Sequence, residues 1–216
     1  MIVAIDGPAA SGKSTVARAV AKALDLVFLD TGAMYRALTA AVLDRGIDPG
    51  DAESCARTAE DLDLTFDSQG RILVDGESGE PRIRSAPVTA AVSQVAAHTA
   101  VRRAIVPLQR KIAQGGTGAV AEGRDTTTVV FPDADHKFFL TATSAERARR
   151  RALQEGREAE VDTLRAEMER RDSLDSTRAD SPLRQADDAI LIDTDGRDAD
   201  EVVGLVLGHI GFPTRN

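Results

Sequence analysis

A glycine-rich stretch near the start of the chain has the residue types and the spacing of a phosphate-binding loop. It matches the pattern G-x-x-x-x-G-K-[ST] at every fixed position. Glycines let such a loop curl until its backbone N–H groups point at phosphate oxygens, the lysine reaches the β- and γ-phosphates, and the serine hydroxyl holds Mg²⁺. The residues predicted to bind nucleotide phosphates, with Ser14 as the Mg²⁺ ligand, are Gly7, Pro8, Ala9, Ala10, Ser11, Gly12, Lys13, Ser14 and Thr15.

The segments on either side of the loop give the motif its physical meaning. Residues 2–5, Ile-Val-Ala-Ile, form an apolar run that predicts a buried strand, and Val16, Val20 and Leu24 recur at helical spacing after the loop. A helix that begins at the loop adds the positive end of its dipole to the phosphate site. This order of strand, loop and helix is independent of the motif letters, so it argues against a glycine-rich turn that matches by chance.

Short apolar runs that end in polar residues alternate with helical patterns along the chain. This alternation predicts an α/β fold with a five-stranded parallel sheet flanked by helices. The predicted strands are 2–6, 27–30, 119–122, 137–141 and 189–193. Ligands of such sheets bind at the carboxyl ends of the strands. Asp30 and Thr31 follow the second predicted strand, and Glu122, Arg124 and Asp125 follow the third.

Two segments depart from this pattern. Residues 62–76 alternate apolar and polar side chains around turns, and 81–84 suggests another short strand, so a small antiparallel sheet is predicted as an insert. Residues 85–114 are predicted to be helical in two pieces with a break or kink at Pro107. Residues 146–184 are dense in both charge signs, which fits either a salt-bridged surface helix or a lid over a phosphoryl-transfer site.

Composition excludes some classes of partner. The chain has 27 Lys and Arg against 35 Asp and Glu, a net charge of −8, one tyrosine and no tryptophan, which disfavours nucleic-acid binding. A lone Cys55 closes no intrachain disulfide, and no leader precedes the first predicted strand. No apolar run reaches the roughly 20 residues that cross a bilayer. We therefore expect a cytoplasmic protein that contacts neither nucleic acid nor membrane.

The glycine loop alone is common to switch GTPases, ATP-driven motors and small-molecule kinases. A GTPase needs an N-K-x-D motif to read its base, and the chain contains none. The D-x-x-G string at 193–196 lies too near the end of the sequence for a base-reading segment to follow it. A motor needs a strand that ends in Asp or Glu for Mg²⁺, and Asp30 or Glu122 meets that need, so the motor stays open at this point.

Several strings beyond the loop resemble the bacterial cytidylate kinase family, whose members are P-loop nucleoside monophosphate kinases. The strings are 29–36 (LDTGAMYR), 93–97 (SQVAA), 123–125 (GRD), 129–134 (VVFPDA) and 171–178 (RDSLDSTR). Their order and spacing match over nearly the whole chain. The resemblance implies transfer of the γ-phosphoryl group of ATP to CMP or dCMP, with Mg²⁺ as cofactor.

The resemblance also implies roles for individual residues. It assigns the acceptor phosphate to Arg36, Arg124 and Arg178, which act in catalysis with Lys13. The other residues implied to bind the acceptor are Thr31, Ser93, Arg102 and Asp125, the last three at the cytosine ring, and Arg171 and Asp175 at the sugar hydroxyls. A monophosphate is close to a dianion at neutral pH, because its second pKa is about 6, so no general base is required and arginine forks suit the site.

Three parts are predicted on this basis: a core of residues 1–59, 101–145 and 185–216, an acceptor-binding insert at 60–100, and a helical lid at 146–184. The expected protein is a monomer whose partners are ATP and CMP or dCMP. The alternatives are a P-loop kinase for another acceptor such as UMP, and an ATP-gated binding switch. Thr126 and Thr127 stand where relatives commonly carry methionine and glycine, so the loop beside Asp125 is expected to have a different shape.

Overall fold

The computed structural model describes residues 1–212, and its strands form two separate sheets. In chain order the strands are β1 (Ile2–Asp6), β2 (Val27–Asp30), β3 (Leu64–Phe66), β4 (Ile72–Val74), β5 (Glu77–Ser78), β6 (Ala119–Gly123), β7 (His136–Thr141) and β8 (Ile190–Asp193). The large sheet has the order β2-β6-β1-β7-β8 and all its neighbours are parallel. The five predicted parallel strands are confirmed, each to within one residue at either end.

Helices cover both faces of the large sheet. In chain order they are α1 (Lys13–Leu24), α2 (Thr31–Asp44), α3 (Ala52–Asp61), α4 (Ala86–Ala97), α5 (Thr99–Gln114), α6 (Ser144–Glu155), α7 (Val161–Thr177) and α8 (Ala199–Ile210). Because side chains alternate across a strand, Val120 packs on the α1 and α8 side while Ala119 and Ala121 pack on the α2 and α5 side. The central strand β1 is thereby buried from both sides, with Val3, Ala4 and Ile5 inaccessible to solvent. No helix among residues 1–212 combines the length and the apolar character needed to cross a membrane.

The small sheet is antiparallel, as predicted, and has the order β3-β4-β5. Its third strand is the pair Glu77–Ser78, so the prediction of a strand at 81–84 is wrong. Residues Arg82–Arg84 form a 3₁₀ turn instead, in which Ile83 is buried against the core. The segment forms a turn because Ile83 packs inward while both arginines remain outside. A 3₁₀ turn allows this arrangement without a partner strand.

The break in the helical segment 85–114 lies at His98, and the prediction of a break at Pro107 is wrong. His98 is extended, with φ −71° and ψ 119°, and separates α4 from α5. Pro107 lies inside α5. Val101, Ile105, Gln109 and Ala113 are buried at intervals of four residues on both sides of this proline, so tertiary packing holds the helix through the missing backbone donor.

The charged segment 146–184 forms the greater part of α6 and all of α7, and its outer faces carry ion pairs such as Arg165–Glu169, in which both side chains are about half-exposed. These exposed pairs fit the solvated-helix interpretation. Other members of the segment turn inward to the cleft described below. The division of the chain into core, insert and lid stays a prediction, and residues 213–216 of the predicted core lie outside the described residues.

Candidate active site

The glycine loop connects β1 to α1 in a conformation that only glycine allows at two points. Gly7 has φ +151°, and a Cβ added there would lie 2.0 Å from the Leu140 carbonyl oxygen of the neighbouring strand. Gly12 has φ +89° and is the N-cap of α1. The helix therefore begins at Lys13 with its free backbone N–H groups at the loop, which is the arrangement that binds phosphate.

Lys13 is buried against the loop that it serves. Its Nζ donates a hydrogen bond to the Pro8 carbonyl oxygen at 2.7 Å. Burial lowers the pKa of Lys13, and the nearby Arg124 guanidinium lowers it further. A bound polyphosphate would reverse this shift, because an anion beside a buried ammonium favours its charged form.

Beside the loop lies an open cleft of about 900 Å³, solvent space included, at the carboxyl ends of β2 and β6. The structure brings eleven of the predicted residues to this cleft, together with Ala9 and Ala10 of the loop. They are Lys13, Ser14, Thr31, Arg36, Ser93, Arg102, Arg124, Asp125, Arg171, Asp175 and Arg178. The predicted loop residues Ser11, Gly12 and Thr15 instead line an adjoining cleft, while Gly7 and Pro8 line neither.

Arginines crowd one wall of the main cleft. Arg36 donates to the Ile83 carbonyl oxygen at 3.2 Å and to Thr89 Oγ1 at 3.0 Å. Burial, then Arg171, lowers the pKa of Arg36 to about 9, and burial, then Arg124, lowers the pKa of Arg171 to about 10. Part-buried cations whose pKa falls in this way lack counter-charge, so the wall is built to receive an anion.

A second group of side chains joins the predicted lid to the acceptor side of the cleft. Arg124 Nε lies 3.0 Å from Asp175 Oδ2, and Ser93 Oγ donates to Asp175 Oδ1 at 3.1 Å. Burial opposes ionisation of Asp175, but Arg124 and Arg171 outweigh it and hold its pKa below the usual range. These polar groups satisfy one another in the structure.

A third group surrounds Asp125, which is 4% exposed. Its carboxylate forms an ion pair with Arg102, and Arg178 Nη2 lies 3.5 Å from the other carboxylate oxygen. Arg102 also donates to Ser181 Oγ at 2.9 Å, and its guanidinium carbon lies 5.4 Å from the centre of the Tyr35 ring. Burial raises the pKa of Asp125 to about 6 despite these cations.

Sequence reasoning missed two of these contacts, those made by Tyr35 and Ser181. Tyr35 precedes the predicted Arg36 in the string 29–36, so its position beside the site could have been predicted. Ser181 carries no motif, and nothing in the sequence signalled its bond to Arg102.

Oxygen atoms that could bind a metal ion lie beside the glycine loop and come from three elements. Asp30 and Glu122 are register partners on β2 and β6, and Thr31 Oγ1 donates to the Glu122 carbonyl oxygen at 2.6 Å. Burial, then Asp30, raises the pKa of Glu122, while the nearby Lys13 ammonium and Ser14 hydroxyl oppose the rise. The Ser14 hydroxyl and the Glu122 carboxylate therefore lie together and could hold Mg²⁺, which prefers oxygen ligands and keeps much of its shell for water and phosphate. In residues 1–212 no group of three or more His, Cys, Asp or Glu forms a metal cage.

One further contact ties the lid helices to the glycine loop. The Asp172 carboxylate accepts a hydrogen bond from the Ala9 N–H at 3.2 Å and forms an ion pair with Arg147. Arg147 in turn donates to the Ala9 carbonyl oxygen at 3.1 Å. The two side chains thus hold both polar groups of one loop residue. Sequence reasoning did not assign either side chain to the loop.

The adjoining cleft, of about 740 Å³, lies on the other side of the loop between α6 and the start of α8. Arg150 crosses it and donates to Thr194 Oγ1 at 2.9 Å and to the Thr194 carbonyl oxygen at 2.6 Å. The glycine loop therefore has a cleft on each side.

Comparison with known proteins decides between the kinds of protein that use such a loop. The family model described as Cytidylate kinase matches residues 3–211. The chain belongs to the cytidylate kinase family. A "Cytidylate kinase" of Symbiobacterium thermophilum is 46% identical over 80% of this chain and 79% of the relative. This membership confirms the recognition made from the strings.

Other members of the cytidylate kinase family that match are longer proteins. A "Bifunctional pantoate ligase/cytidylate kinase" of Synechococcus sp. (strain CC9902) is 52% identical over 80% of this chain and 38% of its own length. The same description applies to a protein of strain CC9605, which is 55% identical over 70% of this chain and 32% of its own length. The chain spans about a third of the length of these bifunctional relatives.

Solved structures with the same fold are distant in sequence. A protein from Thermus thermophilus has a TM-score of 0.52 and 16% identity over 99% of this chain and 98% of its own. An uncharacterized protein from Eubacterium ventriosum has a TM-score of 0.51 and 14% identity over 98% of both chains. At this identity the likeness is one of fold alone. The predicted α/β fold is confirmed, and the roles of single residues in this family member stay predictions.

Proposed function

We propose that the protein transfers the γ-phosphoryl group of ATP to CMP or dCMP and releases ADP with CDP or dCDP. The observation that carries the proposal is that one cleft holds the buried lysine of a glycine loop and a wall of part-buried arginines short of counter-charge. A site that binds a single nucleotide needs only the lysine and its loop. A site where two polyanionic nucleotides meet needs the arginine wall as well. Membership of the cytidylate kinase family supports the cytosine nucleotide as acceptor.

The chemistry needs positioning and charge more than proton transfer. An oxygen of the acceptor phosphate attacks the γ-phosphorus, the bond from that phosphorus to the β-phosphate oxygen breaks, and ADP leaves. The acceptor phosphate is close to a dianion at neutral pH, so it carries no proton that must be removed. Arg36, Arg124 and Arg178 grip the acceptor phosphate, and Lys13 stabilises the charge that develops between the two nucleotides.

The polar side chains of the cleft suit the edge of cytosine. Asp125 accepts from the cytosine amino group, Arg102 donates to a ring acceptor, and Ser93 completes the set. Uracil has a carbonyl where cytosine has its amino group, so an ionised Asp125 would face another acceptor. Such a buried mismatch costs on the order of 1–3 kcal/mol, enough for tenfold discrimination or more.

The sugar and the remaining phosphate contacts fall to the lid. Arg171 and Asp175 contact the sugar hydroxyls, and the sugar would replace Ser93 as a hydrogen-bond partner of Asp175. Thr31, which is buried at the start of α2, forms the floor of the acceptor site. This arrangement supports the division into a core, an insert at 60–100 that binds the acceptor, and a lid at 146–184.

Mg²⁺ is the expected cofactor, and the residues present fit it. When bound, the ion would supply positive charge that offsets part of the negative charge of the ATP phosphates. The Ser14 hydroxyl and the Glu122 carboxylate would hold it. Because burial favours the protonated form of Glu122, a cation at this point also restores the charged carboxylate.

We further propose that the protein acts as a monomer in the cytoplasm. The single cysteine suits a reducing compartment. Light scattering on the purified protein measures the mass directly.

The test is ADP release from Mg·ATP with CMP, dCMP, UMP, AMP and no acceptor in parallel. Turnover with CMP or dCMP far above the rest supports the proposal. Slow release that is indifferent to every monophosphate contradicts it and favours an ATP-gated switch.

The arginine clamp has its own test. Arg36→Ala and Arg178→Ala are each expected to lower the rate by about 10²–10³, the scale for losing one preorganised charge. Arg165→Ala is the control, because this arginine is half-exposed on α7 and, among residues 1–212, its only ion-pair partner is Glu169. Near-normal turnover in both clamp variants would refute these assignments.

A further inference from the structure

A buried carboxylate joins the glycine loop to the loop that carries Arg124 and Asp125. Asp6 is the last residue of β1 and has no exposed surface. Its Oδ1 accepts from the backbone N–H of Thr126 at 2.9 Å and from the Thr126 hydroxyl at 2.7 Å. Its Oδ2 accepts from the N–H of Thr127 at 2.7 Å and from the Thr127 hydroxyl at 2.6 Å. Both oxygens of one carboxylate are thus fully used by two adjacent threonines.

The contact lies between the two halves of the site. Asp6 is followed directly by Gly7 of the glycine loop, and Thr126 follows directly on Asp125. Thr126 and Thr127 are buried and begin a π-helical turn that runs to Val130. A displacement of this turn therefore displaces Asp125 and the arginine before it.

The Thr126 methyl group is closely packed against the end of β6. A Cβ added to Gly123 would lie 2.7 Å from Thr126 Cγ2 and 2.5 Å from Thr31 Oγ1. The strand end that precedes Arg124 is therefore wedged between two threonines. Valine at 126 would keep this shape and remove only the hydroxyl.

We propose that the hydroxyls of Thr126 and Thr127 are positioning groups that fix the Arg124–Asp125 loop for the acceptor nucleotide by way of Asp6. The inference rests on the proposed function, because it concerns binding of CMP at that same cleft. Neither threonine touches the substrate. They hold the carboxylate and guanidinium groups that do, in the geometry that distinguishes cytosine from uracil.

The arrangement predicts an effect on the acceptor alone. Asp6 keeps both backbone N–H donors when a hydroxyl is removed, so the variants are expected to fold with a lowered Tm. The loop beside Asp125 gains freedom, while the glycine loop is still fixed by Lys13 and by Gly7. The KM for CMP should therefore rise, and the KM for ATP should not.

The experiment compares Thr126→Val, Thr127→Val and the double variant with the wild-type protein, at a temperature well below every Tm. We expect the KM for CMP to rise about fivefold in each single variant, since each loses a hydrogen bond to a charged group, and the ratio of kcat/KM for CMP over UMP to fall. Thr126→Ser and Thr127→Ser keep the hydroxyl and should restore both values. Thr128→Val is the matched control, because the Thr128 hydroxyl lies in the same turn and has no hydrogen-bond partner among the described residues.

The outcomes separate the inference from the function on which it rests. A wild-type protein that does not phosphorylate CMP overturns both. A wild-type protein that uses CMP, with a double variant whose KM for CMP and CMP preference are unchanged, overturns the positioning role alone. Equal rises in the KM for CMP and for ATP, or the same rise in Thr128→Val, show a merely structural role and also overturn it.

Discussion

Acidification should weaken the preference for CMP over UMP, because Asp125 must be ionised to accept from the cytosine amino group. Burial raises the pKa of this carboxyl to about 6, so its titration falls within the range where the protein can be assayed. As the pH falls through that value, the carboxylate becomes a neutral acid. A protonated carboxyl presents an O–H donor, which suits the uracil carbonyl and not the cytosine amino group.

The size of the effect follows from the fraction of Asp125 that is ionised. With a pKa of about 6, about one carboxyl in eleven is ionised near pH 5, against about ten in eleven near pH 7. The ratio of kcat/KM for CMP over kcat/KM for UMP should therefore fall about tenfold between these pH values. This ratio reports the free enzyme, which is the state that the structure describes.

Taking the ratio of the two kcat/KM values also cancels the titration of the acceptor phosphates, which is the main complication of the pH profile. The phosphates of CMP and UMP titrate alike near pH 6, so their protonation cancels. The assay is ADP release with each acceptor from about pH 5 to about pH 7.5, with Asp125→Asn as a variant that cannot titrate and should give a flat ratio. A ratio that stays constant in the wild-type protein, or rises on acidification, would refute the assignment of Asp125 to the cytosine amino group.

Three further predictions concern other parts of the molecule. Lys13→Ala is expected to abolish transfer because it removes the cation at the β- and γ-phosphates, and ADP release with CMP measures it. Asp172→Asn leaves Arg147 without its ionic partner at the glycine loop and should lower the free energy of unfolding in urea by about 2 kcal/mol, the scale of a hydrogen bond between charged groups. Phe138→Ala empties the fully buried centre of the sheet and should cost about 3–5 kcal/mol. Leu191→Ala, at a side chain 53% exposed, should cost under about 1 kcal/mol in the same titration.

The strands of the large sheet could be predicted because their residues carry the signal themselves. Apolar, β-branched runs such as 2–6 are typical of strands buried on both faces, whatever their neighbours. The two errors arose where packing overrides local preference. Pro107 stays inside a helix because the helix is held on both sides of it, and 81–84 becomes a turn because its one apolar residue has a core to enter.

The site likewise contains residues that the sequence could predict and residues that it could not. Arg36 and Asp125 could be placed in the cleft because they lie in strings that resemble a family, and Arg102 because it follows one of those strings. The partners that hold these side chains in place could not be predicted. Ser181, for example, lies 79 residues from Arg102 in the chain. Asp6 and Thr126 are 120 residues apart, and no periodicity relates positions so distant.

The strand order has a consequence for the chain as it leaves the ribosome. β1 and β2 are made first, yet neither pairs with the other, because β6 lies between them. The large sheet therefore cannot begin until residues 119–123 have been synthesised, although the antiparallel strands β3 to β5 can pair by themselves.

Until then the nascent chain exposes two apolar strands whose backbone groups have no native partner. Unpaired edges of this kind associate with other chains. A fragment that stops before β6 would keep this hazard permanently, so we expect N-terminal fragments to aggregate even when they contain the whole glycine loop. Synthesis of β6 therefore gives each of these two strands its first native partner.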